Sequence, residues 1–258
     1  MSIKSKGIVC AFAAMFLLAA CKTTNVSYQA APLWLGQEKK SISGFIAQPK
    51  GKGPFPAVVL LHTCGGLAPH VTEDWPNYLS QLGYVVLTVD SLGSRSDGNC
   101  NSETYVPAYM EADAYGALDY LATLPSVDKH RIGVVGFSYG GIQINKFVMD
   151  ANRREGESNF KAGISVYGRC HESQTEYQGK LQFPLLNIIG EKDGETAPCK
   201  KLKPPFELAI LPGAYHAFDK PENDGKYDPA GFLMVYDYEA TKKARQLTKA
   251  YLAKHLGK

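Results

Sequence analysis

The chain has 258 residues, 45% of them hydrophobic and 21% charged, with 28 Lys and Arg against 25 Asp and Glu. That composition excludes a disordered chain. A formal charge of only +3 argues against nucleic acid as the main partner, because phosphate binding needs a strong basic excess or patch. One α/β domain of this length buries roughly 70–75% of the surface its unfolded chain exposes.

Lys4 and Lys6 head an uncharged, mostly apolar run from Gly7 to Ala20. As a helix that run spans about 21 Å, too short for a hydrocarbon core of about 30 Å. It is therefore expected to be an export signal, not a membrane span. The run closes on Leu18-Ala19-Ala20-Cys21, which resembles the lipobox of bacterial lipoproteins. The resemblance implies cleavage before Cys21, lipid on its thiol and anchorage to a membrane. Lys22 instead of Asp resembles the outer-membrane sorting pattern of enterobacterial lipoproteins, which implies a bacterial cell envelope location facing the periplasm. An ordinary signal with a coincidental Cys is the alternative. Removing residues 1–20 takes away two lysines and no acids.

Residues 21–30 are polar and unpatterned and are expected to be a tether, with one α/β domain from 31 to 258. Ser43–Ala47 reads as a strand. Ala57–Leu61 is a continuous apolar run of strand length, expected to be buried on both faces. Trp75, Tyr78, Leu79 and Leu82 lie at helical spacing, and Gly83 stops that helix. Tyr84–Val89 is the next strand, followed by a Ser-, Gly- and Asn-rich loop to Thr104. A long Ala-rich helix covers Pro107–Leu124. Arg131–Val135 is a buried strand and Gly140–Met149 a helix. Gly163–Val166, Leu185–Ile189 and Glu207–Leu211 are further strands, and Ala230–Leu256 is a basic amphipathic helix. Strands alternating with helices predict a mostly parallel sheet covered on both faces, with the chemistry at the strands' carboxyl ends.

After export, Cys64, Cys100, Cys170 and Cys199 remain besides Cys21. An even number in an exported chain suggests two disulfides. Of three pairings, Cys64–Cys100 and Cys170–Cys199 are favoured, because each joins segments expected at adjacent strand ends. No two of these cysteines have zinc-type C-x2-4-C spacing, and neither metal nor cofactor is expected.

The strand ending at Val135 runs into Gly136-Phe137-Ser138-Tyr139-Gly140-Gly141 and then a helix. A Ser at a sharp strand-to-helix turn is held in a strained backbone, and the flanking glycines relieve collisions between strand and helix. The helix start offers unpaired N–H groups and a positive dipole end. The bland alternative is a tight turn with Ser138 as a helix cap. As nucleophile, Ser138 needs a base. Of His62, His70, His130, His171, His216 and His255, only His216 lies in a loop after the last strand and before the last helix, where the base of a Ser…Asp…His order falls. Asp193, in the loop after Leu185–Ile189, is the candidate acid that orients the base. Glu191 is its rival, and Asp90 and Asp219 are outside candidates. The oxyanion donors are expected to be the N–H of Tyr139 and the N–H of Cys64 in His62-Thr63-Cys64-Gly65-Gly66, with Thr63 in reserve. His62 itself is expected to shape that loop.

From about Pro56 onward the chain resembles the dienelactone hydrolase family of α/β-hydrolases. The matching stretches are Leu60–Gly66, Val89-Asp90-Ser91, Arg131–Gly141, Gly190–Asp193, Pro212–Phe218 and Tyr227-Asp228-Pro229. The resemblance implies a sheet of eight strands or slightly fewer, a triad of Ser138, Asp193 and His216, and metal-free hydrolysis of a small-molecule ester or lactone. It departs from the name-giving members at the nucleophile, where they use Cys and this chain has Ser138. It also departs from many α/β-hydrolases at Thr63, where they have Gly. A peptidase or acyltransferase with the same triad, and a catalytically silent envelope lipoprotein, are the rival readings.

Overall fold

In a computed structural model the described residues are 23–32, 40–149, 159–228 and 231–257. The expected export signal, the expected lipidation site Cys21 and Lys22 lie outside them. Eight strands form one sheet: β1 (Thr23–Gln29), β2 (Ser41–Ala47), β3 (Phe55–Leu61), β4 (Val85–Asp90), β5 (Val127–Phe137), β6 (Gly163–Val166), β7 (Leu185–Gly190) and β8 (Glu207–Leu211), in the order β1-β2-β4-β3-β5-β6-β7-β8. From β4 to β8 every neighbouring pair is parallel; β1 and β2 run antiparallel at one edge.

The helices are α1 (Trp75–Gln81), α2 (Ala108–Thr123), α3 (Tyr139–Phe147), the short α4 (Glu172–Glu176) and α5 (Thr196–Cys199), and α6 (Tyr238–Leu256). Strand β3 shows why its apolar run is unbroken. Val59 and Leu61 face one core with Tyr115, Leu118 and Phe147 of α2 and α3. Val58 and Leu60 face the other with Trp75, Leu79 and Leu252 of α1 and α6. Both faces of a parallel sheet are covered, so alternation vanishes from the sequence.

Two expectations are corrected. The segment expected to be a tether is largely strand β1, whose residues Thr23 to Gln29 pair with Ala47 to Ser41, so the folded domain begins before residue 31. Its only buried side chain is Tyr28, whose hydroxyl donates to the Asp113 carbonyl at 3.2 Å; backbone pairing, not an apolar pattern, holds the rest. The last helix starts at Tyr238, not Ala230. Asp237 accepts the Ala240 N–H at 2.9 Å and caps the helix there. Ahead of it, Met234 bridges to His216 and Leu233 to Tyr227, so this stretch lies over the loop that carries His216.

Candidate active site

Strand β5 ends at Phe137 and α3 begins at Tyr139, so Ser138 alone makes the turn. Its φ of 49° and ψ of −110° are costly for a residue with a Cβ. The turn closes this tightly because Gly136 and Gly140 have no side chains. A Cβ on Gly136 would sit 2.5 Å from the Gly140 carbonyl carbon, and one on Gly140 2.7 Å from the Leu61 oxygen. The Ser138 N–H donates to the Val166 carbonyl at 2.9 Å and its own carbonyl accepts from Ile142 at 2.9 Å, which pins the turn between β6 and α3.

Ser138 Oγ lies 3.1 Å from Nε2 of His216. On the far side of the ring, Nδ1 lies 2.8 Å from Oδ2 of Asp193. A carboxylate accepts only, so Asp193 takes the Nδ1–H and leaves the Nε2 lone pair facing the hydroxyl. The other Asp193 oxygen accepts the Glu195 N–H at 3.0 Å. Both the Asp193 and His216 side chains are almost wholly buried, so the pair works at low local dielectric. The Tyr167 ring meets His216 edge-on at 5.2 Å, and Phe232 covers it at 6.2 Å between centroids.

The rival acids are engaged elsewhere. Glu191 accepts the Gly213 N–H at 2.9 Å. Asp90 accepts the Gly93 N–H at 2.9 Å. Asp219 takes the Tyr167 hydroxyl at 2.6 Å and the Trp75 indole N–H at 2.7 Å. His62 is fully buried with Nδ1 2.7 Å from the Thr63 carbonyl, consistent with a loop-shaping role.

Cys64 and Tyr139 both border the cleft in front of Ser138, a cavity of about 130 Å³. Tyr139 is the first residue of α3, so the helix leaves its N–H unpaired. Thr63 to Gly66 form a turn closed by Gly66 N–H to Thr63 carbonyl at 3.1 Å, in which the amide at the second position, Cys64, has no partner within the turn. The expected disulfides are present: Cys64 with Cys100 and Cys170 with Cys199. Each ties together two loops at the carboxyl end of the sheet.

Among the cleft residues that no motif announced are Tyr167, Arg169, Glu195 and Phe232. Their one legible signal is position, since Tyr167 and Arg169 follow the end of β6 and Glu195 follows the end of β7. Arg169 reaches Glu195 at 3.4 Å across the cleft mouth, and burial pushes the Glu195 carboxyl upward despite that guanidinium. Partial burial also raises the Tyr139 phenol, to about 12, so it stays protonated beside the nucleophile.

An eight-stranded, mostly parallel sheet with a serine at the β5–α3 turn is the architecture of an α/β-hydrolase. The chain belongs to the dienelactone hydrolase family, whose model matches residues 42–256. The esterase FrsA of Klebsiella pneumoniae is 36% identical over 159 residues, which is 59% of this chain and 35% of that one; the chain thus matches about a third of that relative's length. A Bradyrhizobium protein described as a probable 2-oxo-3-(5-oxofuran-2-ylidene)propanoate lactonase is 23% identical over 248 residues, covering 86% of this chain and 93% of its own. The crystal structure of dienelactone hydrolase from Anabaena variabilis superposes with a TM-score of 0.64 at 20% identity, covering 92% of this chain and 99% of that one.

Proposed function

We propose that this protein is a serine hydrolase that cleaves carboxylic ester or lactone bonds through an acyl-enzyme. The observation that carries the reading is the hydrogen-bonded line from Ser138 Oγ to His216 Nε2 and from His216 Nδ1 to Asp193 Oδ2, at 3.1 and 2.8 Å. A hydroxyl is a weak nucleophile until a base takes its proton. As Ser138 Oγ bonds to the carbonyl carbon, its proton passes to His216, and Asp193 stabilises the imidazolium. The carbonyl oxygen gains the electron pair and is met by the N–H groups of Tyr139 and Cys64. When the tetrahedral adduct collapses, His216 gives its proton to the leaving alkoxide. Water then repeats the sequence on the acyl-Ser138 ester, so that the acid departs and Ser138 regains its proton. In a lactone the leaving alkoxide stays attached to the acyl group, and one hydroxy acid is released.

Steady-state hydrolysis of p-nitrophenyl butyrate and of dihydrocoumarin tests this. The wild type is expected to turn over at least one of them, and Ser138→Ala and His216→Ala to lose about 10⁴-fold or more in kcat. Turnover that survives Ser138→Ala would defeat the reading.

The same proposal places the enzyme in the bacterial cell envelope, lipid-anchored through Cys21 to the outer membrane and facing the periplasm. The apolar run Gly7–Ala20 ending on Cys21 and the two disulfides support it, since disulfides persist in oxidising compartments. Metabolic labelling with radioactive palmitate is the check: full-length protein made in bacteria takes up the label, and Cys21→Ser does not. An unlabelled wild type, or equal labelling of both, would remove the anchor.

A further inference from the structure

We infer that the Cys64–Cys100 disulfide and the Arg95–Asp113 ion pair form one brace that holds the Cys64 amide in its oxyanion-binding position, which makes Cys100 and Arg95 positioning residues for the reaction. The inference rests on the hydrolase reading above and assigns to these residues an effect on the transition state, beyond stability.

The donor needs a brace. Its turn, Thr63 to Gly66, contains two adjacent glycines. Gly66 has a φ of +79°, and no heavy atom lies within 4 Å of where a Gly65 side chain would begin. Such a turn has wide conformational freedom. An oxyanion donor works only if it is already aimed when charge develops, and a misplacement of about 1 Å is enough to cost roughly 100-fold in rate.

The stem of the turn is fixed from one side. The His62 carbonyl accepts the Gly140 N–H at 3.2 Å, and the His62 ring lies 2.7 Å from the Thr63 carbonyl. The tip is fixed from the other side. The Cys64 carbonyl accepts the Cys100 N–H at 3.0 Å, and the two side chains share a covalent bond. The Cys64 peptide groups are thereby tied to residue 100.

Residue 100 sits in the β4–α2 connection, so it positions Cys64 only if that connection is itself anchored. Arg95 supplies the anchor. Its guanidinium makes two parallel bonds to the Asp113 carboxylate, at 2.6 and 2.7 Å. The two side chains are 9% and 0% exposed. The guanidinium also lies 4.5 Å from the centroid of the Tyr109 ring and donates to the Ser91 carbonyl at 3.3 Å. Asp113 and Tyr109 belong to α2, which packs its Leu118 and Leu121 into the core. From Arg95 to Cys100 the path follows the chain, where the Asp97 N–H donates to the Leu92 carbonyl at 3.0 Å and the Asp97 carboxylate accepts the Ser102 and Thr104 hydroxyls at 2.7 and 2.6 Å, closing the loop around Cys100 and its disulfide to Cys64. Bidentate guanidinium–carboxylate pairing fixes orientation as well as distance, which suits it to this task.

The test compares wild type, the double variant Cys64→Ala/Cys100→Ala and Arg95→Lys. The alanine at 64 keeps the backbone N–H, and lysine keeps the charge while losing the second parallel bond. Each is assayed with p-nitrophenyl butyrate well below its own melting temperature. Each is also titrated with butaneboronic acid, which adds to a serine as a tetrahedral anion. The expected result for the double variant is a kcat lower by roughly 10–100-fold, KM within about threefold, and a boronate Ki weakened in parallel with kcat. Arg95→Lys shifts the same two quantities in the same direction by less. A kcat and boronate Ki within twofold of wild type, alongside a lowered melting temperature, would make the disulfide a stabiliser only and overturn the inference. A raised KM at unchanged kcat would make it a wall of the substrate cleft, with the same consequence. If the double variant does not fold, Cys170→Ala/Cys199→Ala takes its place, read oxidised and reduced under native conditions, since Cys64–Cys100 is then the bond that reduction opens. Loss of the hydrolase reading registers separately, as an inactive wild type, and the inference falls with it.

Discussion

Tyr167 donates its hydroxyl to Asp219 at 2.6 Å while its ring edge rests against His216. The second Asp219 oxygen is held by the Trp75 indole N–H at 2.7 Å. A buried carboxylate thus fixes the aromatic side chain behind the proposed base without touching that base. Burial pushes the Asp219 carboxyl upward, and its two hydrogen bonds oppose the shift. This arrangement separates two acids, one in the loop after β7 and one three residues after His216 in its own loop: Asp193 meets the imidazole, and Asp219 supports its neighbour.

The two acids are expected to respond differently to the same substitution. Asp193→Asn offers the ring an amide that stabilises the wrong tautomer, and kcat should fall by about 10³–10⁴-fold with folding intact. Asp219→Asn leaves either Trp75 or Tyr167 without its acceptor. It should cost about 1–3 kcal/mol of stability and reduce kcat far less. Urea unfolding and ester turnover of both variants measure this. A larger kcat loss in Asp219→Asn than in Asp193→Asn would reverse the assignment.

The Cys170–Cys199 disulfide closes a separation of 29 residues and ties the loop carrying Arg169 to the helix after Asp193. In the chain-entropy model a loop of that length contributes about 3.5 kcal/mol, with measured values for native bridges of about 2–5 kcal/mol. Cys170→Ala/Cys199→Ala is accordingly expected to be less stable by roughly that amount in urea titrations. A difference below about 1 kcal/mol would show that the reduced chain is already held in this arrangement by its packing.

Asp113 gives the fold a pH dependence of predictable sign. Burial pushes its carboxyl up to about 6, against the opposing pull of Arg95. The folded carboxyl therefore binds its proton more readily than the unfolded one. Its contribution to stability is fully present below the unfolded value of 3.8 and is lost as pH rises through about 6. Asp113→Asn has no such titration. Urea unfolding of both at pH 4, 5, 6 and 7 should show wild type losing stability relative to the variant as pH rises, on the order of 2 kcal/mol in all. A difference that stays flat or grows with pH would contradict the shift.

Much of this was legible in the residues. The buried strands declared themselves as apolar runs, because a parallel sheet covered on both faces leaves no alternation to misread. Ser138 was legible because a strand, a serine between glycines and a helix start occur in one short stretch. The positions of His216 and of the Glu191–Asp193 loop were legible from chain order; which of those two acids meets the ring was not, and the structure brings Asp193 to it and turns Glu191 to the Gly213 N–H. Strand β1 was not, since only Tyr28 of its seven side chains is buried and its pairing is made by backbone groups common to every residue. The start of α6 was misplaced because residues 231–237 are held to the His216 loop by long-range contacts, and the cap at Asp237 decides the boundary. Arg169, Glu195 and Phe232 escaped notice for the same reason: what brings them to the cleft is the packing of loops distant in sequence.

Phosphonylation mapping tests the central claim most directly. Wild type and Ser138→Ala are treated with a fluorophosphonate, then digested and sequenced by mass spectrometry. The account predicts one adduct, on the peptide containing Ser138, forming slowly in His216→Ala and not at all in Ser138→Ala. An unlabelled wild type, or an adduct that persists without the residue 138 hydroxyl, would contradict it.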